Sequence, residues 1–153
     1  TSILLNILAV QNCDQDTARV LDEYDTYTEL GCTFILPMAT IIETGNHIAQ
    51  NGDGSTRRKT AQIFVDMIKD AFSGAAPFQI SELPSSYEIL TWLDDFPNHA
   101  GRNKSPSKTT EGTSFGDLSI IKEFEKCCGR FAMSEVRIWS LDSDLQQYHQ
   151  HGR

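Results

Sequence analysis

A chain of 153 residues with a formal net charge of −8 is long enough to bury about two-thirds of its unfolded surface in one hydrophobic domain, so it needs no disulfide or metal staple to fold. The acidic balance argues against a general nucleic-acid coat protein, whose affinity comes from Lys and Arg on phosphates. It leaves room for a nuclease, because a set of metal-binding carboxylates is itself acidic and is offset by its ions. Cys13, Cys32, Cys127 and Cys128 show no C-x-x-C spacing, which points to reduced thiols in a cytoplasmic protein rather than to a disulfide scaffold or a zinc knuckle.

The opening apolar run, SILLNILAV, has neither a basic leader nor a small-residue cleavage site, and it is shorter than the roughly 20 residues a membrane span requires. No membrane partner is expected. Ser2 to Leu8 reads as a short buried helix entered directly from a strand that lies before the sequence. Asp14 or Asp16 then caps a helix to about Leu30, with Ala18, Leu21, Tyr24 and Tyr27 or Thr28 inward, and Gly31 stops it. CTFIL supplies a strand at 33–36, and Pro37 opens the next helix where a missing N–H costs nothing. That helix carries an apolar stripe of Met38, Ile41, Ile42 and Ile48, with Glu43 and His47 four residues apart on one face.

NGDGS at 51–55 is a turn by composition, and 56–72 reads as an amphipathic helix with Ala61, Phe64, Val65, Ile68 and Phe72 inward. Residues 78–80 suit a short edge strand. Ser85 or Ser86 caps a helix that runs through Trp92 and ends by Pro97. The polar stretch HAGRNKSPSKTTEGT (99–113) has no apolar period and reads as a mobile loop. A further helix opens at Ser114 with Leu118, Ile121, Phe124 and Cys128 on one side, turns near Gly129, and leads into a strand at 136–141 that ends at Asp142. His99, His149 and His151 fall in loop or tail. Strands separated by helices indicate a single three-layer α/β/α domain with a mainly parallel central sheet. Open sheets of that kind place their sites beyond the carboxyl ends of the strands, so Asp117 in a first helical turn and Asp142 past a strand end are expected to converge.

The segments TSILLN, LPMATIIETG, SFGDLSII and IWSLDSDL, in that order, resemble the PIN domain, a family of metal-dependent ribonucleases found in toxin and antitoxin modules and in RNA processing. The resemblance spans nearly the whole chain and implies a single PIN-like domain over 1–153 without its first strand. In the family pattern the first metal ligand would be an Asp directly before Thr1, Glu43 takes the second place, Asp117 the third and Asp142 the fourth, with Asp144 as an additional carboxylate. A form beginning at Thr1 is therefore expected to be nearly inactive. The implied function is a Mg²⁺- or Mn²⁺-dependent endoribonuclease with an RNA substrate, usually a homodimer, with an antitoxin-like protein as a further partner.

The chemistry agrees with that pattern. Phosphodiester hydrolysis needs a hydroxide at neutral pH and a place for charge on the leaving oxygen, and hard ions on carboxylates supply both. Ser2 and Ser114 could hold metal-bound waters or carboxylates, and Arg102, Lys104 and Lys108 could close over a phosphate backbone. Each carboxylate also has a purely structural role open to it. Asp117 suits a helix N-terminus, and Asp142 and Asp144 suit a cap. Two other functions compete: a non-catalytic PIN-like RNA-binding or protein-interaction module, and a serine hydrolase using GTSFG around Ser114. The hydrolase motif demands a hydrophobic strand immediately before its serine, and the preceding residues are SKTTE.

Overall fold

The computed structural model describes residues 1–75, 77–106 and 108–152. Helix and strand are mixed, and the chain divides into two compact units, Thr1–Ser81 and Glu82–Arg153. No helix among the described residues is long and apolar enough to cross a membrane.

In the first unit, α1 (Ser2–Ile7) is followed by α2 (Thr17–Glu29), β1 (Phe34–Leu36), α3 (Met38–Gln50), α4 (Gly54–Ser73) and β2 (Phe78–Ile80). The edge strand expected at 78–80 is present, and it pairs in parallel with β1 in the register Phe34 to Phe78 and Leu36 to Ile80. The crossover between these strands is the α3–α4 pair. Leu4, Leu36, Ala71 and Phe78 form one buried cluster, and Leu5, Leu8, Val10 and Ile48 form a second. The rings of Tyr24, Phe34 and Phe78 lie 5.2 to 5.9 Å apart around the first of these, at separations where aromatic pairs add to simple area burial.

Several faces differ in phase from the sequence reading. In α2 the inward residues are Val20, Tyr24 and Tyr27, whereas Ala18 and Leu21 are exposed. The helix turns to lay its aromatic residues on Phe34, which its own periodicity cannot foretell. Gly31 does end it. The Gly31 N–H donates to the Thr28 carbonyl and the Cys32 N–H to the Tyr27 carbonyl, the paired bonds of a Schellman stop. Pro37 is the cap of α3 rather than its first residue. The buried line of α3 is Thr40, Thr44 and Ile48, while Ile42 is 56% exposed. In α4, Asp53 caps by accepting the Thr56 N–H; Ala61, Phe64, Met67, Ile68 and Ala71 turn inward, and Val65 and Phe72 are exposed.

The second unit contains α5 (Ser86–Ala100), α6 (Phe115–Arg130), β3 (Val136–Arg137), α7 (Ser143–Gln146) and β4 (His149–Gln150). Ser85 caps α5 in a full capping box with Glu88. The helix continues past Pro97 to Ala100. Pro97 is exposed, so the carbonyl one turn earlier that loses its N–H partner can turn to water. Phe96 packs edge-on against Phe115, with ring centroids 5.3 Å apart. α6 runs straight through Gly129, and Leu118, Ile120, Ile121 and Cys127 are its buried residues, with Phe124 and Cys128 half-buried.

The expected strand at 136–141 is regular for two residues only, and β3 pairs antiparallel with β4 rather than in a parallel ladder. Beyond it the backbone is drawn into the next cap. The Ser140 hydroxyl accepts the Asp142 N–H, and its carbonyl accepts from Gln146 Nε2. Among the described residues, the regular strands thus form one parallel pair in the first unit and one antiparallel pair in the second.

Candidate functional site

The 99–113 stretch is organised by its own ends. The Lys104 N–H donates to the Glu111 carbonyl, and the Thr113 N–H to the His99 carbonyl. Gly112 passes so close to the end of α5 that a Cβ there would sit 2.0 Å from the Ala100 carbonyl oxygen, a contact no side chain tolerates. The excursion is thereby pinched at its base and returned to the start of α6. Ser107 lies outside the described residues.

Immediately after the pinch, Ser114 caps α6 by accepting the Asp117 N–H at 3.0 Å. This satisfies a first-turn donor and sets the Asp117 carboxylate where the helix dipole favours it. Asp142 caps α7 in a similar way, its Oδ1 accepting the Asp144 N–H at 3.1 Å. Asp144 is 7% exposed. Two helix starts thus deliver three aspartates to one place. Lys104 Nζ lies 2.8 Å from Asp117 Oδ2 and 3.1 Å from Asp142 Oδ2. Lys108 Nζ lies 3.3 Å from Asp142 Oδ1 and 2.9 Å from Asp144 Oδ2. The result is an alternating chain of charge: Asp117, Lys104, Asp142, Lys108, Asp144.

The electrostatics follow from that order. Burial works to lower the Lys104 pKa, but hydrogen bonds and charge from Asp117 and Asp142 outweigh it and hold the ammonium above its ordinary value. Lys108 is raised as well, chiefly by its hydrogen bond to Asp144. Burial pushes Asp142 upward, but the Asp144 N–H and the two lysines prevail and keep its carboxyl below the usual range. Among the described residues, the one set of three His, Cys, Asp or Glu side chains with ligand atoms all within 4.8 Å of one another is Glu135, His149 and His151. The aspartates are spread wider than that, with the ammonium groups between them.

The predicted site residues therefore separate. Asp117, Asp142 and Asp144 are together, and Ser114 supports Asp117 through its backbone. Lys104 and Lys108, expected as phosphate contacts, are instead paired with these carboxylates. Arg102 is exposed in the same loop. Glu43 and Ser2 belong to the first unit, where the half-buried Glu43 accepts a hydrogen bond from the Thr1 hydroxyl and the Ser2 carbonyl accepts one from Asn6. His47, four residues after Glu43, is exposed. The strand that a GTSFG nucleophile requires is not there: irregular chain precedes Ser114, which is a helix cap. Sequence reasoning missed Ser140, the buried hydroxyl that fixes Asp142. An S-x-D pair before a short helix was the available signal. No family model, curated protein or solved structure matches this chain.

Proposed function

We propose that this protein is a metal-dependent endoribonuclease that hydrolyses RNA phosphodiesters at Asp117, Asp142 and Asp144 with Mg²⁺ or Mn²⁺. The observation that carries the reading is the meeting of three carboxylates, brought by two separate helix starts, around two positive charges. An all-oxygen donor set suits hard divalent ions, and its present cations stand where added positive charge is most favourable. Bound ions of this class supply a hydroxide at neutral pH and stabilise charge on the leaving oxygen.

The chain's own residues hold the carboxylates in place. Ser114 fixes the helix turn that carries Asp117, Ser140 fixes Asp142, and Asp142 in turn caps the helix that carries Asp144. Lys104 and Lys108 must give way for loading, which leaves them beside the cluster with Arg102 to meet a phosphate backbone. The sequence resemblance adds a metal-ligand role for Glu43, a homodimer with an antitoxin-like partner, and a three-layer α/β/α architecture with a mainly parallel sheet. These are finer parts of the same proposal.

The full-length protein should cleave single-stranded RNA with Mg²⁺ or Mn²⁺ and stop on chelation. Asp142→Asn and Glu43→Gln should each abolish cleavage with the circular dichroism unchanged. Activity surviving Asp142→Asn would remove the cluster from the chemistry. A second reading, a non-catalytic interaction module, is favoured by Leu83, Tyr87 and Leu90, which are 67%, 79% and 61% exposed at and near the start of a helix with no buried residue. RNA bound but left intact with either metal would favour it.

A further inference from the structure

We propose that Glu135, His149 and His151 form a second metal site, for a transition ion of the Zn²⁺, Ni²⁺ or Cu²⁺ class, distinct from the aspartate cluster. The antiparallel register places Val136 opposite Gln150 and Arg137 opposite His149. Side chains alternate along a strand, and directly opposed residues share a face. His149 and His151 therefore lie on the same side as Arg137, and Glu135 follows two residues before it. Burial agrees: Glu135, Arg137, His149 and His151 are exposed, whereas Val136 and Gln150 are half-buried.

His149 Nε2 is 2.9 Å from Glu135 Oε1, the two imidazole rings have centroids 4.2 Å apart, and the ligand atoms of all three residues lie within 4.8 Å of one another. The chain end is held there by backbone packing as well, since a Cβ on Gly152 would come within 2.6 Å of the Met133 carbonyl oxygen. Two imidazoles and one carboxylate match borderline transition ions and not magnesium. Three protein ligands leave a position for water, so the site is of the open, exchangeable kind. Arg137 shares the face and opposes the ion's charge, which limits affinity. A bound ion would replace the His149–Glu135 hydrogen bond and tie residue 151 to residue 135, closing the β3–β4 ribbon.

The test is calorimetric titration of the full chain with Zn²⁺ and, separately, Mg²⁺. One Zn²⁺ should bind per chain. A residue one shell out from a metal is already worth about 10- to 100-fold in affinity, so His149→Ala or His151→Ala should weaken binding by at least about tenfold. Asp142→Asn should leave it unchanged, which separates this site from the proposed nuclease centre. Both histidines are exposed, so the variants should keep the wild-type circular dichroism. Absence of Zn²⁺ binding, or binding unaltered in both histidine variants and therefore located elsewhere, such as on the exposed Cys32 thiol, would overturn the proposal.

Discussion

Replacing Lys104 by Met retains much of the apolar stem and removes the charge between Asp117 and Asp142. The Lys104 side chain is 12% exposed, and its two partners are 16% and 30% exposed. Breaking a fully buried pair costs about 3 to 5 kcal/mol, and leaving an unsatisfied buried acceptor costs about 1 to 3 kcal/mol. Partial exposure of the partners places this change at about 2 to 3 kcal/mol. At about 2 to 4 °C per kcal/mol for a chain of this size, thermal unfolding should begin about 4 to 12 °C lower. Asp117 then loses its lysine and Asp142 keeps only Lys108, so Mn²⁺ meets one competitor fewer. Mn²⁺ should accordingly raise the unfolding temperature of Lys104→Met by more than it raises that of the wild type, with about 2.7 kcal/mol gained when the ion is present at 100 times its dissociation constant. Differential scanning calorimetry with and without Mn²⁺ reads both effects. A variant as stable as wild type, or one with an equal or smaller Mn²⁺ shift, would refute the idea that lysine and metal compete for one set of carboxylates.

Gly112→Ala should break the pinch at Ala100, lowering stability by about 1 to 3 kcal/mol, as overpacking does, and raising amide exchange at Lys104, whose N–H is bonded across the loop. Ala9 stands at φ 48° at the end of α1, where a left-handed conformation costs an L residue roughly 1 kcal/mol, so Ala9→Gly should stabilise by about 0.5 to 1 kcal/mol in urea unfolding. The cluster also fixes the sign of a pH dependence. Asp142 is depressed from 3.8, so its contribution is present above that value and is lost as pH falls through the lower folded value. Lys104 is raised from 10.5, so its contribution is complete below that value and is lost as pH rises through the higher folded one. Unfolding temperature against pH should show both declines, and Lys104→Met should show a smaller alkaline one, with Lys108, Lys122 and Lys126 still raised.

Local signals in the sequence were the ones that carried through. The Ser114 cap with Asp117 in the first turn, a cap at Ser85 and the strand at 78–80 each depend on a few adjacent residues, and the structure has them, whereas α4 already starts at Gly54 behind Asp53, inside the stretch read as a turn. What was not legible depended on partners distant in sequence. α4 is apolar on two adjoining faces, and only packing decides that Met67 and Ala71 go inward while Val65 and Phe72 do not. β4 carries His149 and Gln150, which have no strand pattern of their own and gain one by pairing with β3. The polar composition of 99–113 gave no sign that Gly112 would fold Lys104 and Lys108 back onto the aspartates.

In the proposed nuclease, that folding back would couple the metal to the RNA. Three carboxylates and two ammonium groups leave the cluster one negative charge in excess. Exchange of both lysines for one divalent ion leaves the same excess, so loading need not alter the local charge, but it does release two cations into the solvent at the site's edge. Phosphates are the natural acceptors for them. Each ligand then removes an obstacle to the other, since the ion frees the lysines and the polyanion keeps them away from the aspartates. By linkage the effect must be equal in both directions. Mn²⁺ should bind more tightly in the presence of a non-hydrolysable RNA, and the RNA more tightly in the presence of Mn²⁺, by the same factor. The double variant Lys104→Met, Lys108→Met should bind the ion well on its own and lose most of that mutual gain. Titrations by calorimetry for the metal and fluorescence anisotropy for the RNA give the two factors independently. If the double variant kept the full coupling, the lysines would be bystanders, and direct contact between bound ion and phosphate would account for all of it.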